Sequence, residues 1–308
     1  MKKSILSLIV AAGLLTGSCS KDEGNEPTIL PTTTGTATTY TNVAYASASN
    51  AQMMDIYLPS GTGPFPVVVM IHGGAFKSGS KSDEAGNCAA LTAQGYAAAS
   101  INYRLSGEAK FPAQIQDCKA AVRFLRANAT KYNLNPDKIG SWGASAGGNL
   151  SSLLGTSSGV SELEGASLGN SGYSSKVIAT VDWFGPINFL TMDAEATALG
   201  FSLSTNSASS PESSLVGAAV QTVPELVAKA NPTTYITTDD AGFFIQAGSL
   251  DRNIPYTQSL NFFNALKATL GDGKVTYELI SGAGHGGAQF TTTANIAKVI
   301  AFFDLYLK

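Results

Sequence analysis

Charge is scarce in this sequence. Asp, Glu, Lys and Arg make up 13% of its 308 residues, roughly half of the ~25% usual in soluble domains. The formal net charge is −3 and no basic run follows the first few residues, which excludes nucleic acid as a partner because phosphate binding needs concentrated Lys and Arg. Histidine occurs twice, at His72 and His285, and cysteine three times, at Cys19, Cys88 and Cys118. Neither HExxH nor CxxC is present, so nothing suggests a catalytic metal or a redox pair, and no cofactor is expected. Long apolar runs are missing too. The stretch from Ile5 to Leu15 is too short to cross a bilayer as a permanent helix.

What is present suits a folded catalytic domain. A hydrophobic content of 44% over 308 residues is ample for a buried core. The N-terminus carries Lys2 and Lys3, the short apolar run and then small residues up to Cys19, the layout of an export signal. Those small residues resemble the lipobox of bacterial lipoproteins, with Thr16 where leucine is commoner. The resemblance implies a signal peptide over 1–18, a lipid on Cys19 and a membrane anchor through it, hence an exported outer-membrane lipoprotein. Lys21, Asp22 and Glu23 resemble a surface-export signal, which would put the protein on the cell exterior. Export without a lipid, to the periplasm or medium, is the alternative. Residues 19–39 are polar, contain Pro and lack periodicity, so they read as a tether to a catalytic domain over 40–308. In an oxidising compartment Cys88 and Cys118 either pair or stay as buried thiols.

Within that domain, strand-like runs at 53–59, 65–74, 96–105, 138–145, 177–185, 242–249 and 275–284 alternate with helix-length segments. In one such segment Ile115, Ala121 or Val122, and Leu125 recur at helical spacing. Several strands are apolar almost throughout, as strands covered on both faces should be. The pattern predicts an α/β fold with a mostly parallel, doubly wound sheet. Residues 187–230, rich in Ser and Ala, exceed an ordinary crossover and read as a lid-like insertion over the sheet's C-terminal edge.

Ser145 sits in the stretch GASAGG with glycines on both sides, where a strand gives way to a helix. It is either a nucleophile or a helix cap. A serine nucleophile needs a base, an acid to orient that base and donors for the oxyanion. His285, in GAGHGG after the last strand, is the candidate base. His72 opens HGGAF, whose Gly73 and Gly74 can turn N–H groups toward a ligand, and its expected task is to brace that loop. Asp251, just past a strand end in SLDRNIP, is the preferred acid, and Asp182 in VDWFGP is the rival. Asp117 and Arg123 are expected in ion pairs that fix their helix.

Together HGGAF, GASAGG, SLDRNIP and GAGHGG resemble the esterase and lipase branch of the α/β-hydrolase superfamily, near hormone-sensitive-lipase-like and carbohydrate-esterase enzymes. The likeness covers residues 40–308 and implies Ser145 as nucleophile, His285 as base and Asp251 as orienting acid. It also implies an oxyanion hole from the N–H groups of Gly73, Gly74 and Ala146. Ala75 stands where a third glycine is common, and alanine can still donate its N–H. The segments around 181–189, 209–218 and 229–236 look like exported esterases acting on plant polysaccharides, including acetyl-xylan and feruloyl esterases. Asn188 departs from the aspartate frequent in them. The implied partner is a carbohydrate-linked ester.

Other readings meet specific obstacles. The glycines Gly282, Gly284 and Gly287 match GxGxxG, with Asp304 at a plausible distance for a ribose contact, but too little chain follows to complete a βαβ unit. A glycan-binding module would show aromatic platforms, whereas Trp142 and Trp183 flank strand ends and are expected in the core or pocket wall. An arylformamidase-like amidase or a peptidase would use the same catalytic parts.

Overall fold

The computed structural model describes Met1 and residues 35–308. The signal sequence, the lipidation candidate Cys19 and the Lys21–Glu23 patch lie outside the described residues. Among the described residues eight strands form one sheet: β1 (Thr38–Ala44), β2 (Met53–Leu58), β3 (Phe65–Ile71), β4 (Ala97–Ile101), β5 (Leu134–Ala144), β6 (Ala179–Trp183), β7 (Gly242–Gly248) and β8 (Val275–Ile280). Their spatial order is β1-β2-β4-β3-β5-β6-β7-β8. The pairs β1–β2 and β2–β4 are antiparallel and the rest parallel. β1 is the strand that the sequence pattern does not reveal. Its TTYTNVA is an almost wholly exposed edge with no apolar alternation, and it begins ahead of the expected domain start at residue 40.

Among the described residues ten α-helical segments connect or follow the strands: α1 (Ala85–Ala93), α2 (Ala113–Ala127), α3 (Ala146–Thr156), α4 (Ser161–Glu164), α5 (Met192–Ala198), α6 (Pro211–Val216), α7 (Pro224–Ala230), α8 (Tyr256–Leu270), α9 (Ala288–Thr291) and α10 (Thr293–Leu307). Strand alternation explains the continuous apolar runs. Val67, Val69 and Ile71 of β3 face a core shared with α2, α3 and α8, through residues such as Val122, Leu153 and Phe262. Val68 and Met70 face the other way, against α1 and α10 through Leu91, Val299 and Phe303. Every second residue is thus buried on each side. Cys88 belongs to one of these layers and Cys118 to the other. With the sheet between them they are free thiols. Trp142 and Trp183 meet edge to face, ring centroids 4.8 Å apart, inside the second layer, so they are core residues.

Buried ions tie the helices down. Asp117 accepts from Arg104 and from Gln52, joining α2 to the loop after β4 and to the start of β2. Lys119 and Arg123, one turn apart on α2, both reach Glu164 at the end of α4. The role expected for Asp117 and Arg123 matches these contacts. All the parallel strands end at the same edge, and the loops that leave it carry the chemistry-bearing residues.

Candidate active site

β5 runs into Ser145, which is the N-cap of α3 at φ 55° and ψ −122°. A non-glycine residue in that region is strained and persists only where its surroundings enforce it. The flanking glycines are needed for close approach, since their own φ values are ordinary. A Cβ on Gly143 would stand 2.0 Å from the Gly147 carbonyl oxygen, and one on Gly147 would stand 2.0 Å from that of Ile71. Helix α3 is thereby pressed against the end of β3, and the turn lifts Ser145 clear. The cap alternative fails on a simple observation: the Ser145 side chain makes no capping bond to its helix. Its Oγ lies 2.8 Å from His285 Nε2.

His285 is held from two other sides. Its Nδ1 lies 2.7 Å from Asp251 Oδ2, and the Phe184 ring meets the imidazole edge to face at 4.8 Å. The Asp251 carboxylate is buried, and its Oδ1 accepts from the N–H groups of Asn253 and Ile254 at 2.8 and 2.9 Å. Those bonds fix the loop after β7 and fix the carboxylate's orientation with it. The rival Asp182 is elsewhere. Fully buried beside the turn, it accepts from the Ser152 hydroxyl at 2.9 Å and from the Gly185 N–H at 2.8 Å. Burial pushes its carboxyl up to about 6. It clamps α3 to the chain leaving β6 and makes no bond to His285.

The HGGAF loop closes the other side. Gly74, Ala75 and Phe76 all have positive φ, at 104°, 54° and 58°, and all three line the cavity. Among the described residues no protein acceptor takes the N–H of Gly73 or Gly74. Ala146, first in its helix, has no acceptor within it. The predicted donors Gly74 and Ala146 line the cavity with Ser145, as does Ala75, whereas Gly73 sits behind, against the Ala144 carbonyl and Ser145 Cβ. His72 is buried beneath the loop. Its ring stacks on Tyr103 at 4.4 Å and its Nδ1 meets the Gly73 carbonyl at 2.7 Å. Burial lowers its pKa and favours the neutral ring, which suits a brace. Phe76, at the end of the loop, accepts from the Ser106 N–H at its carbonyl and leans its ring on Phe189.

The cavity that opens above Ser145 and His285 has a volume of about 690 Å³. Its far wall comes from residues 187–230, including Met192, Leu203, Thr205 and Glu212. Asn188 does not line it. That residue caps the turn into α5, with its Oδ1 accepting from the Leu190 N–H. The wall residues carry no motif, which is why the sequence pattern marks the segment without naming any of them.

A family model described as BD-FAE matches residues 54–266. Esterase LipC of Mycobacterium tuberculosis is 30% identical over 255 residues, which is 80% of this chain and 60% of that protein. Across LipC and two further relatives from that organism, the chain spans 51 to 60% of their length. Among solved structures, the Bifunctional GH43-CE of Bacteroides eggerthii is 36% identical with a TM-score of 0.79, covering 88% of this chain and 35% of that one. A truncated form of a carbohydrate esterase from gut microbiota is 34% identical with a TM-score of 0.80, covering 87% of this chain and 96% of that one. With its mostly parallel eight-stranded sheet and the family match across most of its length, this chain has the α/β-hydrolase fold and belongs to the BD-FAE family.

Proposed function

We propose that the protein is a serine carboxylester hydrolase that works through an acyl-enzyme, and that its substrates are acetyl or feruloyl esters of plant polysaccharides or related small esters. The observation that carries the reading is the unbroken relay at the cavity floor, Ser145 Oγ to His285 Nε2 at 2.8 Å and His285 Nδ1 to Asp251 at 2.7 Å. His285 takes the Ser145 proton as the hydroxyl attacks the ester carbonyl. Asp251 holds the imidazole with its proton on Nδ1 and stabilises the imidazolium that forms. The N–H groups of Gly74 and Ala146, which line the cavity with Ser145, receive the oxyanion, and Gly73 stands behind them. His285 then gives the proton to the leaving alcohol, and water repeats the sequence to free the acid. The carbohydrate-linked substrate class is supported by the relatives described as carbohydrate esterases and by the resemblance of the motifs. An exported protein tethered through a lipid on Cys19 would meet such polymers outside the cell.

The test is turnover of 4-nitrophenyl acetate, acetylated xylan, methyl ferulate and an N-formyl aromatic amide by wild type and Ser145→Ala. Serine-dependent release of acetate or ferulate is expected, with a loss on the order of 10⁴-fold or more in the variant. Ser145→Ala activity within tenfold of wild type would end the assignment of the nucleophile. Preferential cleavage of the amide would move the substrate class.

A further inference from the structure

The cavity wall contributed by the insertion contains one acidic residue, Glu212, in the first turn of α6. It is only 7% exposed, yet it lines the same cavity as Ser145 and His285. A carboxylate in that position ordinarily has a committed partner, and this one has only local ones, its own backbone N–H and the Ser210 hydroxyl. Among the described residues it takes part in no ion pair. The Ser210 hydroxyl beside it already donates to the Thr205 carbonyl at 2.8 Å. Lys77, the one basic residue on the cavity wall apart from His285, is itself exposed and too far for an ion pair. The neighbouring Asp193 is occupied by the N–H groups of Thr205 and Asn206. Burial pushes the Glu212 carboxyl up and Asp193 adds to that shift, while its own backbone N–H, the Ser210 hydroxyl and the more distant Lys77 act against it. Other side-chain donors that line the cavity are Ser78, Ser204, Thr205 and Asn253. Much of the rest of the lining is apolar, with Phe76, Phe184, Pro186, Met192, Leu203 and Ile254.

Open acceptor lone pairs at the edge of a partly dry cavity suit hydroxyl donors, since a hydrogen bond to a charged acceptor is stronger than one between neutral groups. They repel a second carboxylate. We infer that Glu212 sets substrate choice, accepting hydrogen bonds from free hydroxyls of the bound ester and excluding esters that carry a carboxylate. This rests on the esterase reading above and narrows it to neutral, hydroxyl-bearing esters such as partly acylated sugars. A pentose or hexose ester presents such hydroxyls next to the acylated position, within a cavity of this size.

The experiment uses four esters: a monoacetylated methyl xyloside, the same ester with its other hydroxyls methylated, 4-nitrophenyl hemisuccinate, and the methyl ester of that hemisuccinate. Wild type, Glu212→Gln and Glu212→Ala are compared, with Ser145→Ala as the control and thermal melts for each. Wild type should favour the hydroxylated xyloside over its methylated form by about tenfold in kcat/KM, mainly through KM, and should disfavour the anionic ester by about tenfold against its methyl ester. In Glu212→Ala both ratios should approach one. Glu212→Gln should lift the discrimination against the anion while keeping part of the hydroxyl preference, because its amide oxygen still accepts. Ratios left unchanged by both folded variants would overturn the inference, and so would a wild type without either preference. The wild-type ratios decide the matter even if a variant does not fold. If 4-nitrophenyl acetate is still cleaved in a Ser145-dependent way, the failure belongs to Glu212 alone. If no ester is cleaved, the parent reading fails and this inference falls with it.

Discussion

Two buried carboxylates stand near the nucleophile, and replacing each by its amide separates the proton relay from the scaffold. In Asp251→Asn the two N–H groups of Asn253 and Ile254, which bind Oδ1 at 2.8 and 2.9 Å, hold the amide oxygen in place. The amide NH₂ then occupies the position of Oδ2, 2.7 Å from His285 Nδ1. A donor there demands an unprotonated Nδ1, so the ring proton moves to Nε2, the atom that must accept from Ser145. The expected loss in kcat is about 10⁴-fold, as for the wrong tautomer in serine proteases, or ~5.5 kcal/mol at 1.36 kcal/mol per tenfold. Asp182→Asn should behave in the opposite way. An asparagine there can still accept from Gly185 and donate to Ser152, so activity should stay within about tenfold of wild type. Its signature lies in stability against pH. The native Asp182 carboxyl is raised by burial to about 6 from 3.8, so between these values the folded state holds a proton that the unfolded chain has released. Stability falls as pH rises through that window and then levels off, by on the order of 3 kcal/mol at 1.36 kcal/mol per pKa unit. Asp182→Asn removes this titration and should flatten the profile. Initial rates on 4-nitrophenyl acetate at pH 8, together with urea unfolding from pH 4 to pH 8, measure both effects. An Asp251→Asn enzyme within tenfold of wild type would refute the relay. A collapse of activity confined to Asp182→Asn would move the acid to Asp182.

Further outcomes follow from the packing. Gly147→Ala should destabilise by about 3 kcal/mol or more, because the new Cβ meets backbone 2.0 Å away and backbone cannot step aside; urea unfolding reads this, and a loss below about 1 kcal/mol would mean that the turn can relax. Lys119→Ala removes one of the two cations that reach Glu164 among the described residues and opens a hole at a fully buried site, so a loss of roughly 3–5 kcal/mol is expected in the same assay. Cys88 and Cys118 should stay unreactive toward a thiol reagent in the folded protein and react after unfolding, and rapid labelling of either under native conditions would contradict their burial.

Fold and site were legible to different depths for physical reasons. Strands covered on both faces are apolar throughout and announce themselves, while β1, an exposed edge of Thr, Tyr and Asn, has no period to read. Ser145, His285 and Asp251 could be singled out because each follows a strand that must end at the same edge, and because only two histidines compete. Chain order favoured Asp251 over Asp182, but both carboxylates follow strand ends, and it takes coordinates to see that only Asp251 is turned toward His285. Glu212 was invisible. Nothing in PESSLV tells a buried glutamate from the solvated one that a helix N-terminus usually carries.

The contact between Phe76 and Phe189 bears on how enzymes of this design can be recombined. Phe76 closes a run of left-handed residues in the HGGAF loop, and its ring rests on Phe189, two residues into the 187–230 insertion. The exchangeable part of the insertion therefore starts later than its sequence suggests. A graft from a relative that begins at Ile187 would replace the support of the loop and unsettle the reaction centre. One whose seam lies after Leu190 would change the cavity wall and leave that support in the host.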